Sequence, residues 1–414
     1  MSDILIKNAR IVDGSEDRPK DAIDIRLADG FVQEHGAALT PGDATLVIDA
    51  AEHFVMPGLI DAHVHVNALD VNLKANAAFP DPIVTVGAMN LMRGMLMRGF
   101  TTVRDLGGAT GAFRQAMEAA PIALPRLNIC GKALSQTGGH CDQRGPLDRS
   151  PTDGYQDRLG AMGVICDGVS EVRRSAREQF RSGADFLKVM ANGGVSSPSD
   201  PIHFLGFSRE ELIAMVEEAN NVGAYVAAHL YTDEAIRRAV ECGARSLEHC
   251  NLITPETARL AAEAGCIACP TLITYEKLLS EGPSLGLPPA SVAKINDVRL
   301  KGLESLSVMA EAGLPMAYGS DLLGGMQPHQ SGEFELRAKV LPTQTVIRAA
   351  CGVAAGLLNR ESDIGTLEPG AFADVLLVER NPLEDISTLS GQGEGIALIV
   401  KAGDIVKTTL TGAA

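Results

Sequence analysis

Residues 58–66 read GLIDAHVHV, an apolar run that begins just after Pro57 and carries Asp61, His63 and His65 among Leu, Ile, Ala and Val. Apolar residues at that density read as a buried strand, where a polar side chain is costly unless something compensates it. The spacing suggests the compensation. Residues i and i+2 of a strand face the same side, so His63 and His65 can reach one cation from a single strand. Neutral imidazoles are the commonest metal ligands near neutral pH.

Downstream, short apolar runs alternate with amphipathic helical patterns. The candidate strands are LIDAHVHV, TTVRDLGG, RLNICGKAL, FLKVMANGG, YVAAHLY, SLEHCN, CIACPTL and PMAYGSDLL. The intervening helices carry start and stop signals. Ser208 with Glu211 three residues on forms a capping box, and Gly223 follows near that helix's end. Thr232 caps the next helix, and Thr254 stands before Pro255. Eight strands alternating with helices predict a (β/α)8 barrel over residues 58–359. GGATGAF at 107–113 lacks the spacing of a dinucleotide loop and is read as a connecting loop.

Both ends look different from this middle. ILIKNARIVDG, AIDIRLADGFVQEHG and ATLVIDAAEHFVMPG, and later GIALIVKAGDIVKTTL, are short alternating runs separated by turn residues. They predict a small β-sandwich domain assembled from residues 1–57 and 360–414.

Catalytic residues of such barrels lie at the C-terminal ends of the strands, and the polar residues fall there. His63 and His65 close the first strand. Lys188 lies in the fourth, His229 in the fifth, His249 in the sixth, and Asp321 ends the eighth. Lys188 is the odd member, because an ammonium repels a divalent cation. Burial lowers an amine's pKa, and a neutral amine can add carbon dioxide to become an anionic carbamate able to bridge two metals. Asp61 is placed to orient the first strand or a metal ligand.

Composition sets the outer bounds. The 414 residues are 45% hydrophobic, with no Trp, so the core is aliphatic. A formal charge of -16 argues against nucleic acid or anionic membrane as partner. No apolar run is long enough to span a bilayer, and the N-terminus lacks signal-peptide character. A cytoplasmic protein acting on a small-molecule substrate is the expectation. The eight cysteines are scattered, and CIAC at 266–269 is read as buried small hydrophobes rather than a redox pair.

Taken in order, GLIDAHVHV, the strand-four lysine, single histidines on strands five and six, and GSD at 319–321 resemble the amidohydrolase superfamily. PGLID at the domain junction and GTLEPGAFADVLLV at 365–378 are also similar to it. The resemblance covers nearly the whole chain and implies two divalent metal ions, usually zinc. His63, His65 and Asp321 would hold one, His229 and His249 the other, and a carboxylated Lys188 would bridge them with a hydroxide. The one-metal deaminases of the superfamily lack a bridging lysine on strand four, which weighs against deamination.

Within the superfamily the chain looks most like the prolidase and imidazolonepropionase-like branch, above all its metal-dependent dipeptidases. These cleave Xaa-Pro or Xaa-Arg/Lys dipeptides and N-acyl amino acids. SQTGGHCD with His140 and AHLYT with Tyr231 carry that likeness and imply contacts to the substrate's carboxylate or carbonyl. Imidazolonepropionases mostly hold one metal and lack the lysine. The resemblance thus implies metal-assisted amide hydrolysis at the C-terminal residue, prolidase-like, with Asp321 moving the proton to the leaving nitrogen. His140 and Tyr231 would steady the oxyanion or the carboxylate. On the same fold the alternatives are Xaa-Arg/Lys cleavage and esterase, lactonase or cyclic-amide hydrolysis; outside catalysis the alternative is a ligand-binding barrel. Barrels of this group often assemble, so a homo-oligomer is expected. Arg144 and Arg149 are read as solvated loop arginines, and His203 and His329 receive no role. TYEKLLSEGPSLGLPPASVAKIND, after strand seven, is read as a long loop able to act as a lid.

Overall fold

The computed structural model describes residues 3–152, 154–198 and 200–410. The chain opens with five short strands: β1 (Ile4–Ala9), β2 (Ile23–Ala28), β3 (Phe31–Gly36), β4 (Leu46–Asp49) and β5 (Phe54–Pro57). Nine more belong to the barrel: β6 (Leu59–Val64), β7 (Phe100–Asp105), β8 (Arg126–Ile129), β9 (Ala133–Ser135), β10 (Gly163–Ile165), β11 (Leu187–Met190), β12 (Val226–Thr232), β13 (Ser246–Leu252) and β14 (Ile267–Cys269). Three close the chain: β15 (Val375–Val378), β16 (Ile396–Lys401) and β17 (Asp404–Thr408).

The two ends form two four-stranded sheets, ordered β3-β2-β1-β4 and β17-β16-β15-β5. Ile4, Ile6, Ile25 and Leu27 from the first pack against Val375, Leu377, Leu398 and Val400 from the second in one aliphatic core. The second sheet is buried on its other face too, where Leu376, Val378, Ile396 and Ile399 join the barrel's core. That double burial explains why β15 reads as an unbroken apolar run, VLLV, rather than as an alternation.

The middle of the chain is a (β/α)8 barrel whose strands pair in parallel. Two of its expected strands depart from regular ladders. The third is divided: β8 pairs with β7, and after a break containing Gly131, at φ 71°, β9 pairs with β11. The extra strand β10 from the following loop adds alongside β9. The eighth, around 315–318, forms no extended ladder, yet its backbone bonds in both directions. Ala268 N–H of β14 donates to Pro315 O at 2.9 Å, Ala317 N–H donates back to Ala268 O at 2.8 Å, and Ala62 N–H of β6 reaches Tyr318 O at 2.8 Å.

The helix signals appear as read. Ser208 and Glu211 cap each other reciprocally at helix Arg209–Asn220. The Thr232 and Thr254 hydroxyls accept from the first turns of their helices. Residues 107–110 are a loop, but from Gly111 GGATGAF runs into helix Gly111–Glu118. Cys266 and Cys269 are buried and unpaired. The segment after strand seven differs most from expectation. It is not a loop but falls in helices Leu272–Ser280 and Pro289–Arg299, with a single turn of tighter helix between them. Leu278, Leu287, Ile295 and Val298 pack it into one core cluster with Val71, Val195, Tyr231 and Leu322 of the barrel mouth, so it forms a packed wall of the site. Among the described residues no helix is long and apolar enough to cross a membrane.

Candidate active site

His63, His65, Lys188, His229, His249 and Asp321 all line one cavity of about 460 Å³ at the barrel mouth. The His63 and His65 Nε2 atoms lie 3.4 and 3.2 Å from Asp321 Oδ1. The ring of His249 stands 4.9 Å from that of His63 and 4.7 Å from that of His229, centroid to centroid. Ligating atoms of His63, His249 and Asp321 fall within 4.8 Å of one another, close enough to share a cation.

Three of the rings are anchored through Nδ1. His63 Nδ1 donates to Glu248 Oε2 at 2.7 Å, and His65 Nδ1 reaches Gly107 O at 3.4 Å. His249 Nδ1 meets Thr271 Oγ1 at 2.8 Å. Anchoring one nitrogen fixes the tautomer and leaves Nε2 for a metal. His229 makes a long 3.3 Å contact from Nε2 to Gly193 O.

The charges agree with a ligand set. Burial drives His229 and His249 well below the ordinary imidazole range, into the neutral form that binds metals. Burial also acts on Asp321, pushing it up, but His63 and His65 outweigh it and hold the carboxylate ionised. Lys188 is 1% exposed, burial lowers its pKa, and its Nζ has no hydrogen-bond partner. A buried amine without a partner is an expensive thing to retain.

Backbone geometry brings these groups together. Glu248 and His249 are consecutive, so on a regular strand they would face opposite sides. His249 and Cys250 instead adopt φ of 71° and 57°, and the side chains of Glu248 and His249 both serve the site. Asp321 is also left-handed, at φ 53°. Non-glycine residues in this region cost about 1–3 kcal/mol each and persist where the surroundings over-determine them. Asp61 is one such determinant. It accepts from His63 N at 3.0 Å, Ser320 N at 3.2 Å, Ser320 Oγ at 2.6 Å and Gln330 Nε2 at 2.8 Å, so one carboxylate ties the first ligand strand to the eighth.

On the substrate side, His140 stacks on His229 with centroids 4.3 Å apart. Tyr231 lies over His249 at 5.1 Å, and its hydroxyl is 3.1 Å from that of Tyr275. Tyr275 comes from the helical segment after strand seven. Arg144, expected in solvent, lines the cavity and grips Asp142 through two nitrogens. Arg149 is exposed, and His329 pairs with Glu281. The apolar lining includes Leu73, Met162, Met190, Val195, Leu278 and Leu323. A cavity of this size and mixed lining suits a small molecule.

Sequence reading passed over Arg104 and Glu248. Arg104 Nη2 bonds Glu248 Oε1 at 2.8 Å, and both side chains are fully buried. Burial alone would raise the pKa of Glu248, but Arg104 and His63 hold it well below the carboxylate range. The signal was the one that exposed His63, a charged residue inside an apolar strand, in TTVRDLGG and SLEHCN.

Comparison with known proteins agrees. The pattern of the Amidohydrolase family matches residues 54–406. A crystal structure of an amidohydrolase superposes with a TM-score of 0.97 at 47% identity, covering 99% of this chain and 100% of that one. A prolidase solved with N-methylphosphonate-L-proline superposes with a TM-score of 0.96 at 40% identity, again over 99% and 100% of the two chains. The ochratoxinase of Aspergillus niger is 32% identical over 370 residues, 85% of this chain and 75% of that one. The chain belongs to the amidohydrolase family and is a hydrolase.

Proposed function

We propose that this hydrolase cleaves the amide bond before the C-terminal residue of dipeptides or N-acyl amino acids, with proline as the preferred leaving residue. The observation that carries this reading is the partnerless Lys188 amine, buried in the same cavity as the four candidate ligand histidines and Asp321. A carbamate on Lys188 would satisfy it and supply the oxygen ligand that joins two cations. His63, His65 and Asp321 would then hold one divalent ion, zinc in this reading, and His229 and His249 the other. Such ions polarise a carbonyl and lower the pKa of water toward neutrality. The likeness to a prolidase that binds a proline phosphonate supports the choice of leaving residue.

The chain's own residues do the rest. Asp321 accepts the proton of the attacking water and returns it to the leaving nitrogen, which departs poorly as an anion. His140 and Tyr231, on the wall formed with Tyr275, hold the substrate's carboxylate or the developing oxyanion. The walls enclose a cavity of small-molecule size, which leaves macromolecules outside. A cytoplasmic homo-oligomer belongs to the same reading.

The decisive variant is Lys188→Ala. Loss of the bridging ligand lowers kcat/KM by about 10²–10⁴-fold and bound metal falls with it, and a short carboxylic acid added to the buffer restores part of both. Full activity of K188A without added acid overturns the proposal. A panel of Xaa-Pro, Xaa-Arg, Xaa-Lys and N-acyl-proline substrates, read by release of the free amino acid, tests the leaving residue.

A further inference from the structure

We infer that Gly194, Ser197 and Asp200, in the loop after β11, are positioning residues that fix the ring of His140 against the active-site cavity. The inference rests on the reading of His140 as a substrate contact and names what makes it one.

The ring is held from three sides. One face stacks on His229 with an interplanar angle of 13°. The backbone of Gly194 presses on it so closely that a Cβ there would fall 1.8 Å from Cε1 and 1.9 Å from Nδ1. Its Nδ1 lies 3.0 Å from Ser197 Oγ and 3.5 Å from Asp200 Oδ2. Ser197 Oγ in turn donates to Gly194 O at 3.2 Å, so the hydroxyl is left to accept from His140 Nδ1–H, and Nε2 becomes the nitrogen free for substrate.

The clamp is itself braced. Ser197 and Asp200 are 0% and 2% exposed. Asp200 Oδ2 accepts from Gly194 N at 3.1 Å, which closes the loop on itself. Lys294, on the helix Pro289–Arg299, donates to Gly194 O, to Ser197 O at 2.8 Å and to Asp200 O at 3.2 Å. Tying a partly buried lysine head to three carbonyls of one loop immobilises a long side chain, a cost that a loop with no task would not repay. Neither Ser197 nor Asp200 lines the cavity; both meet it through His140, which does.

The test is a double-mutant cycle on the whole enzyme. Gly194→Ala displaces the ring and lowers kcat/KM for N-acetyl-L-proline by about a hundredfold, the penalty of a misplaced contact. Asp200→Asn, which keeps shape and removes charge, lowers it by about tenfold. Each changes KM and kcat in the same proportion as His140→Ala does, and neither lowers activity further when His140 is already Ala. Metal content and melting temperature of D200N stay at the parent values. Side-chain ¹⁵N shifts place the proton of His140 on Nδ1 in the parent.

If G194A and D200N are additive with H140A, or their KM-to-kcat pattern differs from it, the inference is overturned while the role of His140 stands. If H140A itself keeps full kcat/KM, both fall together. A proton found on Nε2 alone also overturns it.

Discussion

The barrel interior and the terminal β-sandwich are both made of short strands, but they spend their buried positions differently. The apolar cluster between the terminal sheets is Ile, Leu, Val and Ala, and the buried carboxylates there, Asp24 and Asp374, are paired with Lys7 and Arg126. Inside the barrel mouth lie Asp61, His63, Arg104, Lys188, Glu248 and His249, every one of them at most 2% exposed. Hydrophobic packing alone makes a stable core, so the sandwich shows what this chain does where only folding is required. The barrel shows what it tolerates for chemistry.

The largest expected effect separates the two purposes inside the barrel. Arg104→Met leaves the Glu248 charge buried without its guanidinium partner and destabilises the protein by about 3–5 kcal/mol in chemical denaturation. Adding Glu248→Leu recovers most of that loss, because a well-packed apolar pair replaces a buried ion pair at little cost. The double variant does not recover metal affinity, which stays about 10–100-fold weak because His63 has lost its anchor. Recovery of both would mean that the Arg104–Glu248 pair serves stability alone.

Leu27→Ala in the sandwich gives the converse. A truncated core leucine costs about 2–5 kcal/mol, yet kcat/KM measured below the melting transition stays within twofold of the parent. A drop in kcat/KM there would show that the sandwich sets the geometry of the mouth.

The smallest effect is in pH. The folded chain keeps His229 and His249 neutral well below the ordinary imidazole range, while the unfolded chain takes up protons below about pH 6.5. The unfolded state then binds more protons, so stability of the metal-free protein falls as pH drops from about 7 to 5. His229→Asn flattens that slope and L27A leaves it unchanged. An unchanged slope in H229N would place the titration elsewhere.

What could be read along the chain was whatever has a period or a local partner. Alternation marked the sandwich strands, caps marked the helices, and His63 and His65 announced themselves because polar residues two apart in an apolar strand need a common reason. The break at Gly131 and the wall after strand seven were harder. A strand interrupted by one turn keeps its composition, and PSLGLPP looks like a loop whether or not the residues on either side coil against a core.

The sequence by itself determined the kind of fold, the candidate ligands and the need to explain a buried lysine, since burial and periodicity are properties of local residue order. Only the tertiary structure decided the partners. Glu248 reaches His63 across 185 positions, Asp61 reaches Ser320 across 259, and Asp200 reaches His140 across the loop that Lys294 pins. Such contacts are set by strand register and by the left-handed turns at His249 and Asp321, which no local pattern encodes.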